Sequence, residues 1–158
     1  MAEPNPQFMQ DAIALALKGV RSGKGGPFGA TIVKAGKIVA KAHNEVTLTN
    51  DPTAHAEIVA IRRACQTLGT FQLKGCELYT SCEPCPMCLG AIYWSRLERI
   101  YYASTKEDAA AIGFDDRWFY EELERELRDR QLPAFQLMRD EALVAFQTWA
   151  EAIDKIEY

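Results

Sequence analysis

The sequence predicts an α/β sandwich built on a mixed sheet. A two-stranded hairpin pattern near the N-terminus is followed by alternating helical and extended patterns, and no repeat, linker or low-complexity stretch interrupts the 158 residues,. Strands joined by a tight turn pair antiparallel and strands joined through a helix pair parallel, so such a sheet contains both kinds of neighbour.

The elements follow in order. From Pro6 to Arg21, Phe8, Ala12, Ile13, Ala16, Leu17 and Val20 recur at helical spacing, and Gly23-Lys24-Gly25-Gly26-Pro27 ends the run,. Ala30 to Lys34 and Lys37 to Ala42 flank Ala35-Gly36 and form the hairpin,. A helix is expected from Pro52, with Asp51 as N-cap, running through Ile58, Ile61 and Ala64,. Cys76 to Thr80 reads as a buried strand, Pro86 to Ser95 as a short helix, and Arg99 to Ala103 as a further strand,. Tyr120 to Arg130 is a charged helical run with Leu123 and Leu127 inward. Phe135 to Met138 completes a five-stranded sheet, and Glu141 to Ile153 is a final amphipathic helix,.

Length and composition, 48% hydrophobic and 25% charged, suit one domain spanning residues 1–158 with a sizeable core,. A net charge of -4 argues against an extended nucleic-acid footprint, which needs a basic stripe, and favours a small free substrate,. The first residues, MAEPNPQ, lack the basic and apolar regions of a leader, and no apolar run approaches a membrane span, so the expected compartment is the cytoplasm,. Of five cysteines, three fall at Cys82, Cys85 and Cys88, a spacing that suits metal ligation better than disulfides,. Cys65 and Cys76 read as small buried apolar residues.

Two motifs carry the chemistry: His55-Ala56-Glu57 and Pro84-Cys85-Pro86-Met87-Cys88. Together they offer one imidazole and two thiolates to a metal, with a carboxylate left over. Three protein ligands are the pattern of a catalytic zinc, whose fourth position holds a water with a pKa near 7, whereas a structural zinc is closed by four. Residues two apart on a helix point to nearly opposite sides, so His55 and Glu57 reach one site only if the helix end faces it. Pro86 keeps Cys85 extended, suits the first helical position and brings Cys88 one turn later to the same end. Both helix N-termini then favour thiolates at one zinc. Cys82 competes, having the same spacing to Cys85; Cys85 and Cys88 are preferred because they bracket the helix start. Glu57 is the proton carrier, taking a proton from the attacking water, giving it to a ring nitrogen and later protonating the leaving amine, which amounts to hydrolytic deamination. H-x-E alone is too short to mean much; joined to P-C-x-x-C it is the signature of zinc nucleobase deaminases.

With both motifs in view, the chain resembles the cytidine deaminase-like superfamily and within it is similar to bacterial guanine deaminases. The resembling stretches are GGPFGA, NDPTAHAE, LYTSCEPCPMCLGAIYW, GFDD and the terminal Tyr158. The first and third also occur, more loosely, in tRNA adenosine deaminases and cytosine deaminases. The resemblance implies a three-layer α/β/α fold around a mixed five-stranded sheet, with zinc on His55, Cys85 and Cys88 and proton transfer by Glu57. It also implies a purine pocket shaped by Phe28, Asn44, Trp94, Asp116 and Tyr158, and a homodimer exchanging a C-terminal segment of about residues 130–158, so that Tyr158 completes the partner's site. A planar purine wants aromatic faces; Asn44 offers both donor and acceptor, and an ionised Asp116 only accepts, as the N–H groups at positions 1 and 2 of guanine require. Without the resemblance, Asn44 reads as a turn residue, Phe28 as a loop anchor, Trp94 as core and Tyr158 as a chain end. Asp140 and Glu141 read as acids at a helix N-terminus, with Glu141 a candidate second acid near the amine.

The implied reaction is deamination of guanine to xanthine and ammonia. Three other readings stay open: editing of adenosine in tRNA, which wants a basic groove; deamination of cytosine, isocytosine or an aminotriazine such as ammeline; and a non-catalytic zinc module closed by a fourth ligand such as Cys82.

Overall fold

An antiparallel hairpin forms the start of the sheet, and its geometry follows from the turn. In the computed structural model, which describes residues 3–157, β1 (Gly29–Lys34) and β2 (Lys37–His43) are joined by Ala35 and Gly36, both with positive φ. Two successive positive-φ residues match the twist of paired strands. β1 also pairs antiparallel with β3 (Cys76–Cys82), and β3 pairs parallel with β4 (Arg99–Ser104), giving the order β2-β1-β3-β4. The parallel step requires a crossover, and α4 (Pro86–Trp94) supplies it,.

Helices cover both faces, as the three-layer expectation requires. α1 (Pro6–Arg21) starts with Pro6 at its first position and Asn5 as N-cap, whose side chain accepts from the Gln7 N–H,. It lies so near β1 that a Cβ on Gly29 would sit 2.1 Å from the Ala12 carbonyl oxygen. The opposite face packs α3 (Ala56–Leu68), whose Ala56, Ala60 and Ala64 are fully buried beside Ala30, Ile32 and Leu78. Small residues one turn apart let the helix axis approach the sheet closely, so the core is dense with few large side chains. Truncating Leu78 to alanine there would cost about 2–5 kcal/mol.

Among the described residues the sheet has four strands, not five. Phe135 to Met138 forms no strand among the described residues: Met138 turns into the left-handed region (φ 54), Phe135 is 90% exposed, and neither is held by a ladder. A short apolar run becomes a strand only where an edge pairs with it. The helix expected from Pro52 begins instead at Ala56. Asp51 spends its carboxylate on the N–H and hydroxyl of Thr53 (2.8 and 2.7 Å), which closes a turn before the helix and leaves His55 as N-cap,. Two further helices, α2 (Val46–Thr49) and α5 (Lys106–Ala111), were not anticipated. α5 opens on a capping box in which Thr105 and Asp108 bond each other's backbone N–H,.

The chain divides into two compact units, Met1–Asp116 and Arg117–Tyr158. The second holds α6 (Arg117–Glu124), a 3₁₀ turn at Leu127–Asp129 and α7 (Arg139–Glu151). Leu123 and Leu127, expected inward, are exposed, and Glu122 is the buried side chain of α6. Its carboxylate accepts from the Gln131 N–H (2.8 Å) and pairs with Arg125 (2.9 Å), which draws it inward. Among the described residues no helix is long and apolar enough to cross a membrane.

Candidate active site

Two helix N-termini meet at the site, and the residue at each N-cap supplies a ligand atom. His55 caps α3 and Cys85 caps α4, both in extended backbone geometry, and neither side chain makes a capping hydrogen bond to its helix. Their carbonyls accept the first helical hydrogen bonds, from Val59 (3.0 Å) and Leu89 (2.9 Å), so the side chains are free to turn toward each other,. β3 delivers the chain to Cys82, and Glu83 then anchors the connection, its N–H donating to the Ser104 carbonyl (2.8 Å). Pro86 opens α4 and Cys88 follows one turn on.

The result is one compact donor set. The ligand atoms of His55, Cys85 and Cys88 lie within 4.8 Å of one another. His55 Nδ1 is 3.5 Å from the sulfur of each cysteine. One imidazole and two sulfurs suit zinc by their chemistry, and three donors leave one tetrahedral position open. Cys82 is not in this group: its sulfur contacts the Thr105 carbonyl oxygen at 3.5 Å, and burial pushes its thiol up to about 11. The fourth ligand that a closed structural site needs is therefore not offered by the residue best spaced to provide it.

Electrostatics divide the two thiols. The hydrogen bond from Cys88, reinforced by His55, holds Cys85 down to about 4 against the effect of burial. Cys88, which gives that bond and is itself buried, is raised far above the ordinary thiol range. His55 is raised by its hydrogen bond to Cys85. The pairing favours the thiolate at Cys85 and keeps the proton on Cys88, and a divalent cation bound to all three residues would take the place of that proton,.

Glu57, second residue of α3, is only 5% exposed and points into the same site. Its Oε2 lies 3.6 Å from the Cys88 sulfur and its Oε1 accepts from the Thr80 hydroxyl at 3.3 Å. Burial pushes its carboxyl above the ordinary range,.

The remaining predicted residues are placed less uniformly. Asn44 is buried just after β2; its Oδ1 accepts from the N–H groups of Gly26 (3.3 Å) and Val46 (3.2 Å), and its own N–H donates to the Phe28 carbonyl (2.9 Å). With the oxygen doubly tied, the amide is fixed and its NH₂ is the group left to offer, so Asn44 presents a donor instead of both functions. Gly25 must be glycine for this arrangement, since a Cβ there would sit 1.8 Å from the Asn44 carbonyl oxygen. Phe28 stands edge-on to Phe114 (centroids 5.0 Å, 89°). Asp116 has its carboxyl raised by burial first and by the charge of Cys85 second, which marks it as a neighbour of the ligand set. Trp94 lies at the far end of α4, 62% exposed with the Arg96 guanidinium 6.0 Å from its ring centre, and the structure does not bring it into the group. Glu141 is an exposed first-turn residue of α7 in the second unit. Tyr158 lies outside the described residues.

Sequence reasoning passed over Thr80 and Phe114. The two-residue period of β3 puts Thr80 on the face of Leu78 and Cys82, a signal that was present. Phe114, two residues before Asp116, had only its aromatic character to mark it.

Comparison with known proteins gives consistent results. Residues 2–104 match the family described as the cytidine and deoxycytidylate deaminase zinc-binding region. The chain is 53% identical to a guanine deaminase of Bacillus subtilis over 151 residues, 96% of this chain and 97% of that one. It superposes on the X-ray structure of guanine deaminase from Bacillus subtilis with a TM-score of 0.95 at 51% identity, covering 99% of each chain. A tRNA-specific adenosine deaminase of Aquifex aeolicus is 46% identical over 97 residues, 61% of this chain and 64% of that one.

Proposed function

Because this chain belongs to the cytidine and deoxycytidylate deaminase zinc-binding family, we propose that it is a zinc-dependent aminohydrolase converting guanine and water to xanthine and ammonia. The extent of the likeness carries the choice of base: similarity to the Bacillus subtilis guanine deaminase runs nearly end to end, while similarity to the tRNA-editing enzyme stops well short. The net charge of -4 agrees, since a tRNA substrate calls for a basic surface,.

His55, Cys85 and Cys88 hold the zinc, which supplies Lewis acidity and brings the pKa of a water molecule toward neutrality,. Glu57 takes the proton of the attacking water and gives it to N3 of guanine as the oxygen adds to C2. It then takes the proton of the new C2 hydroxyl and passes it to the departing amine as the C2–N bond breaks, so that ammonia leaves and xanthine remains. Asn44 donates through its free amide NH₂ to the acceptor edge of the base, and Asp116 accepts from the N–H groups at positions 1 and 2,. Phe28, braced by Phe114, supplies aromatic surface to the planar ring, with Tyr158 as a second aromatic candidate,. Glu141 remains the candidate for a second acid in the reaction.

The working form is a homodimer in which the segment of about residues 130–158 is exchanged, so that Tyr158 reaches the partner's site. Supporting this, the segment carries exposed apolar side chains at Phe135, Leu137, Phe146 and Ile153 that a second copy would cover,. Its place is the cytoplasm, in purine breakdown; all five cysteines are free thiols,. The decisive experiment is ammonia release from a panel of guanine, cytosine, isocytosine, ammeline, guanosine and tRNA, with xanthine identified directly. Xanthine from guanine at the highest kcat/KM supports the reading; inert guanine beside another active base overturns the substrate and keeps the deaminase.

A further inference from the structure

We propose that Thr80 is a positioning residue for the proton carrier: its hydroxyl pins Oε1 of Glu57, so that Oε2 is the oxygen that works on substrate. This deepens, and rests on, the reading of Glu57 given above. Side chains alternate along β3. Tyr79 turns toward α1, where its ring meets Phe8 edge-on (5.4 Å, 67°), whereas Leu78 belongs to the core beneath α3. Thr80 shares the face of Leu78, is 1% exposed and reaches Glu57 at 3.3 Å. It sits in the centre of the sheet, held on both sides by Ala30 of β1 and Tyr102 of β4, so its own position is rigid.

The two contacts to the carboxylate are not equivalent in the working enzyme. A cysteine that ligates a metal does so as thiolate and has no S–H to give, so the 3.6 Å approach of Cys88 to Oε2 is not a hydrogen bond once Cys88 is a ligand,. Among the described residues Thr80 is then the side chain that donates to Glu57. A carboxylate held by a rigid donor at Oε1 cannot swing away, and Oε2 faces the ligand set. Two proton transfers, from water to N3 and from the C2 hydroxyl to the amine, need an oxygen that stays in place through both.

The test compares Thr80→Val, which keeps shape and removes the hydroxyl, with Thr80→Ser, which keeps the hydroxyl. In Thr80→Val, kcat for guanine should fall about 10- to 100-fold with KM within about twofold, and the zinc content and melting temperature should match the native protein. Thr80→Ser should recover most of kcat. A crystal structure of zinc-loaded Thr80→Val should show the Glu57 carboxylate rotated or in more than one conformer. Native kcat in Thr80→Val, equal impairment in Thr80→Ser, loss of zinc, or an unmoved single Glu57 conformer would each overturn the proposal. Combining Thr80→Val with Glu57→Gln separates the two readings. No further loss in the double variant shows that Thr80 acts through Glu57, whereas full activity of Glu57→Gln alone removes Glu57 from the reaction, whatever Thr80 does.

Discussion

Replacing Glu57 by glutamine exchanges one oxygen of a buried carboxylate for an amide nitrogen and leaves the volume almost unchanged. Thr80 can still donate to the remaining oxygen, and an N–H facing the Cys88 sulfur across 3.6 Å is a favourable neighbour for a thiolate. The donor atoms of His55, Cys85 and Cys88 are untouched, so zinc should bind at one ion per chain. What disappears is a group able to accept and return a proton. Positioned acid-base catalysis is typically worth about 10² to 10⁴ in rate, or about 3 to 5 kcal/mol of barrier. Because Glu57 serves two transfers in one turnover, the loss should fall toward the upper end. The assay is xanthine formation from guanine under saturating substrate, with elemental analysis of the same sample. A variant with full zinc and a kcat within tenfold of the native enzyme would remove Glu57 from proton transfer.

Cys88→Ala should lose zinc and with it all turnover, since two donors hold the ion too weakly; elemental analysis after gel filtration reads this directly. Cys82→Ser should keep both zinc and activity, because the Cys82 sulfur faces the Thr105 carbonyl and not the donor set; loss of zinc there would favour a four-ligand structural site. The same thiol, pushed up to about 11 by burial, should resist iodoacetamide at pH 7.5 even after chelation, while Cys85, held near 4, is alkylated; mass spectrometry of the labelled peptides decides,. Gly25→Ala forces a Cβ to within 1.8 Å of the Asn44 carbonyl, so the backbone must shift. The cost should be about 1–3 kcal/mol in thermal unfolding together with a raised KM for guanine.

Much of this architecture could be read from residues whose local chemistry and tertiary role agree. α1 matches its expected bounds because Pro6 and the glycines after Arg21 punctuate an apolar stripe that the sheet then covers. The zinc ligands were legible because Pro86 dictates where α4 begins, and a ligand at an N-cap has little freedom to be elsewhere. The failures come from choices that only partners settle. Asp51 is as good a turn residue as it is a cap, and the hydroxyl of Thr53 decided between them. Phe135 to Met138 is a short apolar run that pairs with no strand among the described residues. Leu123 obeyed helical spacing yet lost the interior to Glu122, whose ion pair and backbone contact are invisible before the fold exists. Asn44 stood out in the sequence, but its reduction to a donor depended on two backbone N–H groups, of Gly26 far away in sequence and of Val46 next door.

X-ray absorption at the zinc edge addresses the metal centre most directly, because it counts the atoms around the ion. His55, Cys85 and Cys88 predict two sulfurs at about 2.3 Å and two lighter atoms at about 2.0 to 2.1 Å, one from imidazole and one from exchangeable solvent,. A first shell of three or four sulfurs, or one with no exchangeable oxygen, would mean a sealed ion that cannot activate water.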